Sequence, residues 1–212
     1  GEEKTILVAT SGDTGGAVAA AFWKRKNLKA KVLFPKGRVA ERQRAQLTTW
    51  GENIESYEVD GSFDDCQKMV KEAFMDKSIT SGLSSSNSIN IGRLLPQMAY
   101  YAYASEMYLA IYGEKPVIIV PSGNVGNVTG CFWAKAMGYP IERIVMATNA
   151  NRTIPDYLES GEYKPRASVK TLANAMDVGA PSNMERLFDM FPTFEDFSAS
   201  VSAKSVSDSE IQ

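Results

Sequence analysis

Short apolar runs alternate with stretches of helical spacing over the first third of the chain. Residues 6–10, 31–34 and 54–59 are rich in Ile, Val and Phe and are bounded by turn residues, which predicts three strands. Between them, residues 14–26 and 39–50 carry apolar positions at helical intervals. Residues 63–76 then put Phe63, Cys66, Met69, Val70, Ala73 and Phe74 on one helical stripe. Strands and helices in strict alternation imply a parallel sheet covered by helices. At residues 79–90 five serines cluster with Gly82 and two asparagines, which reads as a loop or a crossing between domains. One long helix is expected over 91–112, with Pro96 in its first turns, where proline is best tolerated. Residues 116–120 and 144–147 read as strands of a second α/β unit, joined by a helix over 127–137. Their continuous apolar character suits a sheet buried on both faces. After Pro155 the pattern weakens, and the serine-rich stretch 198–212 reads as a polar surface tail.

The expected fold class is therefore α/β, with two three-layer α/β/α units and mostly parallel sheets. A smaller, mobile domain is expected over residues 1–80, part of a larger one over 81–197, and the tail over 198–212. The length of 212 residues allows one large domain or two small ones. A net charge of -2 gives no broad attraction to nucleic acid or anionic membrane. No apolar run reaches the roughly 20 residues that span a bilayer. Two cysteines are too few for a disulfide framework, so a reducing, cytoplasmic setting is expected. The sequence has no histidine, which removes Ser-His-Asp chemistry and the zinc-ligand sets that need His; no metal site is expected. The chain opens on Gly1 rather than Met, and the expectation is a piece of a longer protein with Gly1 a remnant of expression.

Four polar stretches sit where chemistry could be done. Thr10-Ser11-Gly12-Asp13-Thr14-Gly15-Gly16 lies where a strand ends and a helix begins, a place where free N–H groups and the helix dipole favour an anion. Ser11 and Thr14 add hydroxyls; the competing reading is a tight turn capped by Asp13 or Thr14. The run is neither a Walker A loop nor G-x-G-x-x-G. Pro121-Ser122-Gly123-Asn124-Val125-Gly126-Asn127 has the same placement and contains no charge, so a phosphate there would be held by backbone N–H groups. A plain glycine turn is its alternative. Two such turns at strand carboxyl ends strengthen the ligand reading, because open α/β sheets bind ligands at that edge. In Asn87-Ser88-Ile89-Asn90-Ile91-Gly92-Arg93, Arg93 can grip a phosphate or carboxylate with paired hydrogen bonds, or Ser88 caps a helix and Arg93 is a solvated charge. Thr148-Asn149-Ala150-Asn151 closes another strand, and Lys36 and Arg38 follow the second.

Together these segments resemble the threonine synthase family. The matching stretches start at Ala9 (ATSGDTG), Phe34 (FPKG), Asp60 (DGSFDDC), Asn87 (NSIN, with Arg93), Pro121 (PSGNVGN), Ala147 (ATNAN) and Asn174 (NAMD), in the family's own order. The resemblance implies a fold-type-II pyridoxal-phosphate enzyme of the tryptophan-synthase-β-like kind, with two α/β domains and the cofactor between them. It implies conversion of O-phospho-L-homoserine and water to L-threonine and phosphate. On the matching positions, Gly123, Asn124, Val125, Gly126 and Asn127 would cradle the cofactor phosphate. Ser11, Gly12, Asp13 and Thr14 would face the substrate carboxylate. Ser88, Asn90 and Arg93 are the candidates for the substrate phosphate, with Asn149 and Asn151 lining the site. The two turns are expected to face one cleft. The family's cofactor-anchoring (Schiff-base) lysine lies upstream of the Ser-Gly-Asp-Thr-Gly turn in a Phe-Lys-Asp context. Only Lys4 precedes that turn here, in Glu-Glu-Lys-Thr, so no catalytic residue is assigned within the chain, and the 212 residues alone are expected to be inactive. Other fold-type-II lyases, dehydratases and sulfhydrylases commonly carry Asn at the position of Asp13; a non-catalytic small-molecule-binding homologue is the reading outside enzymes. The resemblance does not fix an oligomeric state.

Overall fold

The computed structural model describes residues 2–212; Gly1 lies outside the described residues. The chain forms two compact units. The first holds the residues up to Asn87 together with Ala167–Val178, and the second holds Ser88–Arg166 and Gly179–Gln212.

In the first unit, strands β1 (Lys4–Ala9), β2 (Leu28–Pro35), β3 (Ile54–Val59) and β4 (Leu83–Ser85) make a sheet in the order β3-β2-β1-β4. Every pair is parallel. The period of two assigns its faces. Ile6 and Val8 of β1 and Ala30, Val32 and Phe34 of β2 pack with Val18 and Ala19 of α1 (Asp13–Phe22) and Leu47 of α2 (Glu41–Thr48). Ala9 and Leu33 point the other way, against Phe63, Cys66 and Val70 of α3 (Phe63–Met75). This is the expected three-layer arrangement. The stripe on α3 is narrower than its spacing implies, because Met69 is exposed. Ser62 caps α3: its hydroxyl accepts from the Asp65 N–H while the Asp65 carboxylate accepts from the Ser62 N–H at 2.7 Å.

Two expectations for this region change. The boundary falls at Asn87, because Leu83–Ser85 is a strand paired with β1 rather than a loop. Residues 167–178 also return to the first unit, and Val178 joins the α3 core.

The second unit starts with α4 (Ile91–Leu94) and α5 (Gln97–Tyr112), which replace the one expected helix. Pro96 stands at the break as the N-cap of α5, where its missing N–H costs nothing. Strands β5 (Val117–Pro121), β6 (Arg143–Thr148) and β7 (Val201–Ser205) pair in parallel in that order. Helices α6 (Gly126–Ala136), α7 (Thr153–Ser160), α8 (Met184–Met190) and α9 (Phe194–Ser200) connect them, and α10 (Asp208–Ile211) follows β7. Val120, Ile144, Met146 and Val201 share one face with Val128, Cys131 and Phe132 of α6 and Leu187 of α8. Tyr157 sits within a cluster of Tyr163, Phe188, Phe194 and Phe197. On the opposite face of β5, Val117 and Ile119 are exposed. The stretch 198–212 is not a polar tail: it supplies β7, whose Val201–Ser205 run bonds along β6. Its serines hide the strand in the sequence, where only Val201 and Ala203 supply the apolar face that packs on the core.

Candidate active site

Each unit carries a glycine-rich turn where its first strand runs into a helix. In the first unit β1 ends at Ala9 and α1 begins at Asp13. The Thr10 hydroxyl fills this turn: Oγ1 accepts from the N–H of Gly12 and of Gly15, both at 3.0 Å, and donates to the Gly12 carbonyl. Thr10 is 1% exposed, so the arrangement is sealed. The Ser11 hydroxyl donates to the Ala175 carbonyl, and Gln43 Nε2 donates to the Asp13 carboxylate at 2.9 Å. Gln43 Oε1 in turn accepts from Asn174 Nδ2 at 2.7 Å. The stretch beginning at Asn174 thus packs against the Ser11–Thr14 turn as a short 3₁₀ helix (Asn174–Met176). Asn87 belongs to the same frame, because its side-chain amide bonds both the N–H and the carbonyl of Ala9. A shallow hollow beside the turn is lined by Ser11, Pro35, Arg38, Phe63, Ser168, Asn174 and Asp177.

In the second unit the turn between β5 and α6 is built the other way. Its side chains are spent on holding the loop from behind. Asn127 donates to the Pro121 carbonyl and accepts from the Ser122 hydroxyl at 2.6 Å. Asn124 Oδ1 accepts from both the N–H and the hydroxyl of Ser182, and its Nδ2 donates to Ser88 Oγ at 2.6 Å. Val125 takes the left-handed conformation, φ 64°, which is rare for a β-branched residue and costs about 1–3 kcal/mol. Its buried side chain, in contact with the core, helps to offset that cost. As a result the N–H groups of Gly123, Asn124, Val125, Gly126 and Asn127 have no acceptor among the described residues; the first helical bond of α6 is Thr129 N–H to Val125 O. Five successive free donors thus lead into an eleven-residue helix, where unsatisfied N–H groups and the helix dipole favour an anion, and the loop contains no acidic side chain.

The other residues assigned to the site all fall in the second unit. Ser88, Asn90 and Arg93 are in the second unit with the 123–127 loop, as are Asn149 and Asn151. Ser88 Oγ accepts from Asn124 and from Asn183, so it braces the loop. Asn90 caps α4 by accepting from the Gly92 N–H at 2.9 Å. Arg93 is half-buried, and desolvation pulls its guanidinium below the usual arginine range. Asn149 and Asn151 are buried at the carboxyl end of β6, where Asn149 Oδ1 accepts from both the backbone and the side chain of Asn151.

Sequence reading assigned no role to Thr10, Gln43, Ser182, Asn183 or Arg186. The signal for Ser182 and Asn183 was the Pro-Ser-Asn run before an apolar helical stretch. Nothing in the spacing ties that run to a loop 58 residues away.

Alternating parallel architecture with a donor-rich turn at a strand carboxyl end is the arrangement in which open α/β proteins bind their ligands. A family model described as pyridoxal-phosphate dependent enzyme matches residues 1–211, and the chain belongs to that family. It is 47% identical over 192 residues to threonine synthase of Buchnera aphidicola subsp. Acyrthosiphon pisum, covering 90% of this chain and 45% of that protein. Against threonine synthase of Escherichia coli (strain K12) it is 46% identical over 189 residues, 88% of this chain and 44% of that one. The crystal structure of threonine synthase from Escherichia coli superposes with a TM-score of 0.89 at 41% identity, covering 98% of this chain and 49% of that chain. A pyridoxal-phosphate-bound threonine synthase from Brucella melitensis superposes with a TM-score of 0.81 at 35% identity, covering 97% of this chain and 50% of that one. The chain therefore spans about half the length of the curated relatives it matches. The loop at 123–127 fits the phosphate of pyridoxal phosphate, since its free donors are backbone groups and none of its side chains is charged.

Proposed function

We propose that these 212 residues carry the phosphate cradle and the substrate-recognition turns of a threonine synthase, which converts O-phospho-L-homoserine and water to L-threonine and phosphate. The observation that carries the reading is the row of five unbonded N–H groups at 123–127, found in a chain nearly half identical to threonine synthases. In this reading Gly123, Asn124, Val125, Gly126 and Asn127 hold the cofactor phosphate through backbone N–H groups and the α6 dipole. When bound, pyridoxal phosphate supplies the electron sink for the substrate's reacting carbon. Ser11, Gly12, Asp13 and Thr14 take the substrate carboxylate. Thr10 occupies the N–H groups of Gly12 and Gly15 and the Ser11 hydroxyl donates to the Ala175 carbonyl, so this contact falls to the Thr14 hydroxyl and the remaining N–H groups of the turn. Arg93, with Ser88 and Asn90, is assigned to the substrate phosphate; a partly desolvated guanidinium binds an oxyanion more strongly than an exposed one. Asn149 and Asn151 line the site with amides already fixed by their mutual bonds. The lysine that anchors the cofactor and moves the substrate proton comes from sequence outside these residues, since no lysine here lies in a Phe-Lys-Asp context. The compartment is the cytoplasm in this reading, and no helix among the described residues is long and apolar enough to cross a membrane.

The test is to add pyridoxal phosphate to the purified chain and follow binding and phosphate release together. The expected outcome is saturable binding competed by inorganic phosphate, with no release of phosphate from O-phospho-L-homoserine. Binding that inorganic phosphate fails to displace would remove the cradle from the account. Turnover by the 212 residues alone would overturn the assignment of the lysine.

A further inference from the structure

The free donors of the 123–127 loop are held in place by a segment far away in the sequence. Pro181 leads into α8, and the two residues that follow it clasp Asn124. Ser182 donates twice to Asn124 Oδ1, from its N–H at 2.7 Å and its hydroxyl at 3.0 Å. Asn183 Nδ2 donates to the Asn124 backbone carbonyl at 3.0 Å and to Ser88 Oγ at 3.3 Å. Asn183 is fully buried, and it is itself oriented from the next turn of α8. Arg186 Nε donates to Asn183 Oδ1 at 3.1 Å, while Arg186 Nη2 donates to the Ile89 carbonyl at 2.8 Å. One guanidinium thus ties Asn183 to the Ser88 turn, and Asn183 ties both to the loop. Gly126 marks how closely they meet: a side chain there would lie 3.1 Å from the Ser88 Cβ and 3.4 Å from Asn183 Nδ2.

We propose that Asn183, oriented by the fork of Arg186, is the positioning residue that keeps the 123–127 loop in its anion-binding form; this rests on the cradle reading above. Turning the Asn124 carbonyl toward Asn183 fixes the following peptide plane, and with it the N–H of Val125. A loop that samples other orientations no longer presents its free donors in one fixed arrangement, and binding then has to order it each time. Arginine rather than lysine is needed at 186, because only a planar fork can address Asn183 and the Ile89 carbonyl at once.

The experiment is calorimetric titration of inorganic phosphate into the full chain and into Arg186→Ala, Arg186→Lys and Asn183→Ala, with the thermal midpoint of each recorded. Expected is a roughly tenfold or larger loss of affinity in Asn183→Ala, matching the cost of stranding buried hydrogen-bonding groups. Arg186→Lys should lose nearly as much as Arg186→Ala, since both lack the fork and only Lys keeps the charge. A Lys variant that binds phosphate like the parent shows that charge, not the fork, matters, and overturns the proposal. So does an Asn183→Ala protein that is folded and binds undiminished. No phosphate binding by the parent chain would instead refute the cradle itself, which separates the two failures.

Discussion

The Thr10–Gly16 turn and the 122–127 loop have the same outline, a strand running through glycines into a helix, yet they do opposite things with their donors. In the first, the strand-end hydroxyl of Thr10 is folded into the turn and consumes the N–H groups of Gly12 and Gly15. In the second, Ser122, Asn124 and Asn127 point their side chains backward to Pro121, Ser88 and Ser182, and five N–H groups stay open. Glycine spacing therefore marks a place where the backbone can come close. Whether it approaches a ligand or its own neighbours is decided by where the flanking hydroxyls and amides find partners.

The largest expected effect breaks the comparison at its tightest point. A side chain at Gly15 would sit 2.5 Å from Leu47 Cδ2, 2.6 Å from Thr10 Cγ2 and 2.8 Å from Val32 Cγ1, whereas the nearest atom to one at Gly126 is 3.1 Å away. Gly15→Val should cost about 3 kcal/mol or more in urea unfolding, against about 1 kcal/mol for Gly126→Ala. Thr10→Val comes next. It keeps the shape but strands the two buried N–H groups, and should cost roughly 1–3 kcal/mol. Ser122→Ala, by contrast, leaves the five free donors of its loop untouched and should cost less.

An effect confined to alkaline pH compares the cores of the two units. Cys66 in the first unit and Cys131 in the second are both fully buried, and burial pushes each thiol from 9.0 up to about 12. A thiol that ionises only in the unfolded chain favours unfolding as pH rises. Its stabilising contribution is whole below pH 9.0 and drains away towards about 12, at about 1.4 kcal/mol per pH unit at most for each thiol. The double variant Cys66→Ala, Cys131→Ala should flatten that alkaline slope in pH-dependent urea melts. An unchanged slope would mean the thiols are not sealed.

Much of this was readable from the chain. The strands at 54–59 and 144–147 show as short apolar-rich runs bounded by turn residues, and the α3 stripe shows the 3.6 period that burial imposes. What could not be read depends on pairing at a distance. Leu83–Ser85 and Val201–Ser205 are strands because β1 and β6 offer them partners, while their serines look like loop. The break at Pro96 leaves no mark in the spacing, because proline is tolerated both inside a first turn and just before one. At the site, the loop and its glycines were legible. The brace from Ser182, Asn183 and Arg186 was not, since hydrogen bonds between distant segments leave no local spacing.

The most direct test of the contrast between the two turns is a titration of the isotope-labelled chain with inorganic phosphate, reading the backbone amide resonances. The account predicts saturable shifts at Gly123, Asn124, Val125, Gly126 and Asn127, with Gly12 and Gly15 unmoved because Thr10 already holds their N–H groups. Equal shifts at Gly12 and Gly15, or a silent 123–127 loop, would contradict it.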